Sequence, residues 1–289
     1  LIHMSMVAKQ LALPLTGETN QDTLTWAGEQ LQQLIKILLT TSLTNTVTEP
    51  EPPEEPADYE PTLPSTPEDN GVSDELIIDE HNAYLKGYTD GEIKPNTKIT
   101  RAEAAMIFYR LLKDNSCDKP VSFTDVEEGM WYEAAIETLA GRGIICGYPD
   151  GSFNPDKAIT RAEFTAIAIR FANTKSGNSE FTDVPKDYWA YDEIAAATDY
   201  GWITGYPDGT YKPDNTISRA EVATIVNRML GRSADEVYVD KNYYNIVNFY
   251  DLRDNKEWYF YQIVEATNNH TFTMNEGGET WRTAEDTIM

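Results

Sequence analysis

Three arginines occupy matching settings in this chain of 289 residues: Arg101, Arg161 and Arg219 each stand inside an Ile-Thr/Ser-Arg-Ala-Glu string. Thr100, Thr160 and Ser218 are good helix N-caps, and Glu103, Glu163 and Glu221 follow three positions later, which completes a capping box in each copy. The hydroxyl and the carboxylate therefore have a structural reason to be there. The arginine does not, because a cation in the first turn faces the positive end of the helix dipole at a cost of about 0.3–1 kcal/mol. A guanidinium beside the free N–H groups of a helix N-terminus is a receptor for a carboxylate. The competing reading is an ion pair with one of the many local acids.

Trp131 and Trp189 each open an amphipathic segment, either as faces on which a sugar stacks or as core anchors. Asp150 and Asp208 could hydrogen-bond sugar hydroxyls, although aspartate before glycine is also ordinary turn chemistry. A calcium loop does not fit: with Gly151 at the glycine position of an EF-hand, the closing acid falls on Lys157. Cys117 and Cys146 are the only cysteines, and His3, His81 and His270 lie far apart, so no zinc spacing can be drawn and no metal or cofactor is expected. Because a parallel copy places Thr204 where Cys146 stands, the reading is a buried thiol rather than a disulfide. The scattered His and acids form no acid/base pair, so no enzyme is expected.

The elements that carry these residues repeat. Gly-Tyr-x-Asp-Gly begins at Gly87, Gly147 and Gly205, offsets of 60 and 58, and each is followed twelve residues later by the arginine string. Upstream, Phe123-Thr124-Asp125-Val126 with Trp131 matches Phe181-Thr182-Asp183-Val184 with Trp189. Each unit reads as helix, turn, loop, helix. Tyr132, Ile136, Leu139 and Ala140 form the first apolar stripe, with Gly143 or Gly201 as a left-handed cap. The second stripe is Ala104, Ile107, Phe108, Leu111 in one copy, Phe164, Ile167, Ala168, Phe171 in the next, and Val222, Ile225, Val226, Met229 in the third.

This combination closely resembles the S-layer homology (SLH) domain, over about Gly71 to Asn269. The resemblance implies a mainly α, three-lobed bundle at the bacterial cell wall or S-layer, outside the cell. Its ligand would be a secondary cell-wall polysaccharide, commonly one bearing pyruvylated sugars, held in grooves between repeats, with Arg101, Arg161 and Arg219 contacting its acidic groups. Trp131, Trp189, Asp150 and Asp208 are further ligand candidates. The implied function is non-covalent anchoring of a secreted protein. The alternatives are self-assembly of a surface layer, or the anchor fragment of a larger wall-active glycoside hydrolase.

The repeats are unequal. The first lacks its Trp helix, and the last, with Phe249, Asp251 and Trp258, lacks its arginine string, so the two half units are expected to pair and close a pseudo-threefold ring. The boundaries read as a short segment at 1–48 with one amphipathic helix, an acidic Pro-rich linker at 49–70, and repeats at 71–118, 119–176 and 177–234. A degenerate half repeat with a patternless tail follows at 235–289. The linker holds eight acids, no base and seven of the fifteen prolines, and should be extended and disordered. Leu13-Pro14-Leu15-Thr16-Gly17 resembles the sortase pentapeptide, but Glu29, Gln30 and Lys36 interrupt the apolar run a membrane anchor would need. No signal-peptide pattern opens the chain, so a leader either lies upstream of a truncated chain or is lacking. A net charge of -25 argues against nucleic acid and anionic membranes as partners.

Overall fold

A computed structural model describes residues 71–173, 177–246, 249–275 and 278–282. The chain divides into two compact units, Leu1–Glu51 and Pro52–Met289. The anticipated N-terminal helix, the Leu13–Gly17 string and the linker lie outside the described residues. Among the described residues no helix is long and apolar enough to cross a membrane.

The described part is mostly helical. It comprises α1 (Arg101–Leu111), α2 (Glu133–Gly141), α3 (Arg161–Ala168), α4 (Tyr191–Asp199), α5 (Arg219–Leu230), α6 (Glu236–Lys241), α7 (Tyr243–Ile246) and α8 (Phe260–Thr267), then an antiparallel hairpin of β1 (Thr271–Asn275) and β2 (Gly278–Arg282). All three capping boxes form at the N-termini of α1, α3 and α5. Every residue of the three anticipated second-helix stripes is buried.

The three arginine strings meet in a closed cycle. The Ile99 N–H donates to the Ile217 carbonyl, Ile217 to Ile159, and Ile159 back to Ile99, each at 3.1 Å. Two residues further on, the Arg101, Arg161 and Arg219 N–H groups donate to the carbonyls of Lys157, Asn215 and Thr97, running round the cycle in the opposite sense. A helix N-terminus leaves several N–H groups without intrahelical partners. Here each of the three takes carbonyls from the loop of a neighbour, so none can form without the other two.

The Phe-x-Asp strings hold those loops. Asp125 accepts from the Phe153 and Asn154 N–H groups, Asp183 from Tyr211 and Lys212, and Asp251 from Ile93 and Lys94. The Phe of each string packs against the first glycine of a turn. A Cβ on Gly147 would stand 2.2 Å from the Phe123 ring, which is why that position must be glycine. Phe249 does the same to Gly87, so the C-terminal half unit docks onto the N-terminal loop.

At the level of helices the pairing differs from expectation. The helix that follows each Trp packs on the arginine helix just before it in sequence: α2 on α1, α4 on α3, and α8 on α5. The C-terminal half unit thus makes its main helix contact through α8 with α5 rather than with α1. Phe108 packs instead on Phe164 and Phe171 at 5.5 and 5.2 Å. Two further corrections follow. Thr271–Asn275 and Gly278–Arg282, in a stretch that shows no usable pattern in sequence, pair as the two strands of the hairpin. Cys146 is exposed rather than buried, because that position contributes its carbonyl to the structure and its thiol to solvent, and both cysteines are free.

Candidate functional site

Each arginine string sends its side chain across a unit boundary. Arg101 donates from Nε to the Phe153 carbonyl and from a terminal nitrogen to the Cys146 carbonyl, both at 2.9 Å. Its guanidinium lies over the rings of Phe153 and Tyr148 at 4.5 and 5.1 Å. Arg161 repeats the Nε bond on the Tyr211 carbonyl and lies over Tyr211 and Tyr206, but its terminal nitrogen donates to Glu221; Arg219 bonds the Ile93 and Lys86 carbonyls and lies over Tyr88. The loop carbonyls of the neighbour thus offset the unfavourable helix dipole.

The capping glutamates complete the contact, to different degrees. Arg161 is 2.7 Å from Glu221, Arg219 is 3.5 Å from Glu103, and Arg101 is only 3.9 Å from Glu163. Tyr206 and Tyr88 donate to Glu221 and Glu103, whereas Tyr148 turns to Lys157 and leaves Glu163 without that bond. Burial alone would raise the Glu221 carboxyl, but the Arg161 charge and the Ser218 bonds outweigh it and hold it below the usual carboxylate range. The local ion-pair reading therefore describes Arg161 well and Arg101 poorly.

Two open grooves lie beside these arginines. The first, about 480 Å³, is lined by Arg219, Arg110, Trp131, Glu103, Tyr88 and Lys86. The second, about 130 Å³, is lined by Arg101, Arg170, Trp189, Glu163 and Cys146. Trp131 and Trp189 are 54% and 59% exposed, so they are not core anchors; the residue after each, Tyr132 or Ala190, is buried instead. Trp258, at the equivalent place in the last unit, is half-buried. Asp150 and Asp208 are exposed but occupied, each accepting from the backbone and hydroxyl of the residue two positions on, Ser152 or Thr210.

Sequence reasoning overlooked the second cation of each groove. Arg110 and Arg170 stand nine residues after Arg101 and Arg161, and Arg228 stands nine after Arg219, a regularity that the repeats display openly. Arg110 donates to the Tyr84 carbonyl and Arg170 to that of Ile144. Burial and then the facing charge of Arg219 lower the Arg110 pKa, as expected of two cations that face one another. Each groove therefore joins an arginine from one unit to an arginine from another, beneath an exposed indole.

A family model of the S-layer homology domain matches residues 81–105, 122–165 and 180–223. Among curated proteins, the chain is 34% identical over 220 residues to Cell surface glycoprotein 1 of Acetivibrio thermocellus, covering 69% of this chain and 9% of that protein. It is 37% identical over 210 residues to the Cellulosome-anchoring protein of the same organism, covering 69% of this chain and 45% of that one. It is also 33% identical over 176 residues to an amylopullulanase of Thermoanaerobacterium thermosulfurigenes, covering 58% of this chain and 9% of the enzyme. The chain thus spans less than half the length of these relatives.

Proposed function

We propose, from the premise that this chain is an S-layer homology domain protein, that it acts as a non-covalent anchor at the outer surface of the bacterial cell. Its ligand is an acidic cell-wall polysaccharide, one bearing pyruvylated sugars, bound in the two grooves. The repeats are taken as 71–118, 119–176 and 177–234, closed by the half unit within 235–289. No catalytic role is assigned to the described region. The part that matches the amylopullulanase is a small fraction of that enzyme.

The observation that carries this reading is the pair of arginines from two units meeting under an exposed tryptophan. Paired guanidiniums suit a carboxylate, to which arginine donates two parallel hydrogen bonds, and the indole face suits the apolar face of a sugar ring. The second groove is the better receptor, because Arg101 is the arginine least neutralised by the capping glutamate it faces, Glu163 of the next repeat. Asp150 and Asp208 are assigned to the turn, each at most one further acceptor for a hydroxyl.

Retention on purified cell walls, with and without the acidic glycan, tests the proposal. Binding should require the glycan. Trp189→Ala and Arg170→Ala should each weaken it by roughly tenfold, about 1.4 kcal/mol, with the melting temperature little changed for the exposed tryptophan. Equal retention on stripped walls would refute it. Ordered sheets forming without glycan would favour self-assembly into a surface layer instead.

A further inference from the structure

On a part of the molecule built by neither groove, two histidines 189 positions apart in sequence come together. His81 lies in the segment leading into the first loop, and His270 follows α8. The two residues pair as an isolated bridge, with the His270 N–H donating to the His81 carbonyl at 3.1 Å. Glu265 on α8 and Glu279 on β2 complete the group. His81, Glu265 and Glu279 are buried. We propose that His81, Glu265, His270 and Glu279 form a structural zinc site that fastens the two ends of the repeat region together.

The spacing of the donor atoms fits that ion. The His81 Nδ1 lies 2.9 Å from His270 Nε2, 3.4 Å from Glu265 and 3.1 Å from Glu279. The His270 Nε2 lies 3.5 Å from Glu265 and 3.4 Å from Glu279. Four N/O ligands about 2.0–2.1 Å from a tetrahedral zinc are about 3.3–3.4 Å from one another. One ligand atom from each residue falls within 4.8 Å of all the others.

The hydrogen-bond inventory points the same way independently. Glu265 is 1% exposed, yet neither of its carboxylate oxygens has a hydrogen-bond partner among the described residues. Its nearest nitrogens stand at ion-pair rather than good hydrogen-bond distance. The His270 Nδ1 lies 3.2 Å from the Asn268 carbonyl, an acceptor, which assigns the ring proton to Nδ1 and leaves a lone pair on Nε2 facing both carboxylates. Such an outer hydrogen bond is what orients a metal-bound histidine. Three acceptors, His270 Nε2 and the two carboxylates, then converge on His81 Nδ1. A divalent cation at the centre satisfies all four groups at once.

The surroundings fix the ligands. His81 stacks on Phe272 at 3.8 Å and His270 on Trp281 at 3.7 Å. Glu279 accepts from the Ser233 N–H and the Trp281 indole N–H. Buried Arg232 donates to the carbonyls of Ile77, Glu80 and Asn82, the segment that presents His81, and supplies one positive charge against two carboxylates. Two imidazoles disfavour calcium and magnesium, which take oxygen ligands. Four protein ligands and no open position mark a structural site rather than a catalytic one.

The test uses the purified chain, stripped with chelator and titrated with zinc or with cobalt(II) as a spectroscopic reporter. The expected result is one zinc per chain, an intense tetrahedral cobalt spectrum, and a melting temperature raised by about 5–10 °C at a hundredfold excess over Kd. Glu265→Gln separates this site from a simple ion-pair cluster. Because Glu265 has no hydrogen-bond partner without metal, the variant should be at least as stable as the chelated wild type yet bind zinc 10- to 100-fold more weakly, as should His270→Ala. A wild-type chain that binds no zinc stoichiometrically, or whose melting ignores it, overturns the proposal. So does unchanged zinc affinity in both variants. Should a variant fail to fold, the wild-type cobalt spectrum alone decides. None of these readouts involves the glycan, so failure here leaves the proposed anchoring untouched.

Discussion

Replacing Asp251 by alanine asks whether the C-terminal half unit is an integral third of the ring or an appendage. The carboxylate accepts from the Ile93 and Lys94 N–H groups at 2.9 and 2.6 Å, across 158 and 157 positions of chain. Asp125 makes the corresponding pair at 2.7 and 2.7 Å, and Asp183 at 2.8 and 2.8 Å. A hydrogen bond to a charged group contributes about 1.5–3 kcal/mol. These aspartates are half-buried, so about 2–4 kcal/mol for each pair is the discounted figure. For a domain of this size that lowers the melting temperature by roughly 5–15 °C. Lys94, Asn154 and Lys212 all have positive φ, at 52°, 57° and 56°, so the loop that loses its clamp is one that non-glycine residues resist adopting.

The assay is thermal unfolding of Asp125→Ala, Asp183→Ala and Asp251→Ala side by side, followed by circular dichroism. Closure of the ring by the last half unit predicts three similar losses in one cooperative transition. A wild-type curve for Asp251→Ala beside a destabilised Asp125→Ala would refute the reasoning, because the C-terminal contact would then be dispensable.

Three other outcomes follow. Truncation after Val239 removes Leu252, Phe260, Ile263 and Val264, all buried; at about 1.5–3 kcal/mol each this rivals the whole stability of a domain, and limited proteolysis should find the α5 face digested before α1. The Glu221 carboxyl is held below its ordinary value when folded, so its pairing with Arg161 contributes stability that is present above the unfolded value and lost as pH falls through the folded one. Glu221→Gln should flatten the acid limb of a stability–pH curve while lowering stability at neutral pH, as checked by denaturant melts. Cys146 is exposed and Cys117 half-buried, so a thiol reagent should modify Cys146 first in the folded chain, and a bulky adduct there should block binding in the second groove while leaving the fold intact by circular dichroism.

The helices and their capping boxes were legible because they rest on local rules: Thr100 with Glu103, and apolar residues at positions three, six, seven and ten after each arginine. The turn glycines were legible too, although the reason for Gly147 was not, since it lies in the Phe123 ring. What escaped was whatever depends on distant residues meeting. His81 and His270 carry no ligand spacing because the fold, not the sequence, makes them neighbours. The hairpin escaped because its strands are short and its turn falls within a region without a repeat partner. Trp131 and Trp189 could not be placed from an amphipathic pattern in which Tyr132 competes for the same core position.

The net charge of -25 and an acidic ligand are reconciled by distance. At physiological ionic strength charges separated by more than about 8 Å are largely screened. The repulsive background, including a charge of -16 from Asn70 onward, therefore acts on a polyanion that lies along the surface and hardly on a single carboxylate seated in a groove. There two guanidiniums line the groove, each already oriented by a backbone carbonyl and so losing little freedom on binding. Those same carbonyl bonds hold the ring together. The arginines consequently divide their nitrogens: Nε of Arg101, Arg161 and Arg219 always meets a neighbouring carbonyl, as does Nη2 of Arg101 and Arg219, while Nη1 faces the capping glutamates at distances that lengthen from Glu221 to Glu103 to Glu163. Repeats with one motif thereby acquire unequal grooves, and the inequality is set by whether the turn tyrosine binds its own glutamate, as Tyr206 and Tyr88 do, or leaves it for a lysine, as Tyr148 does.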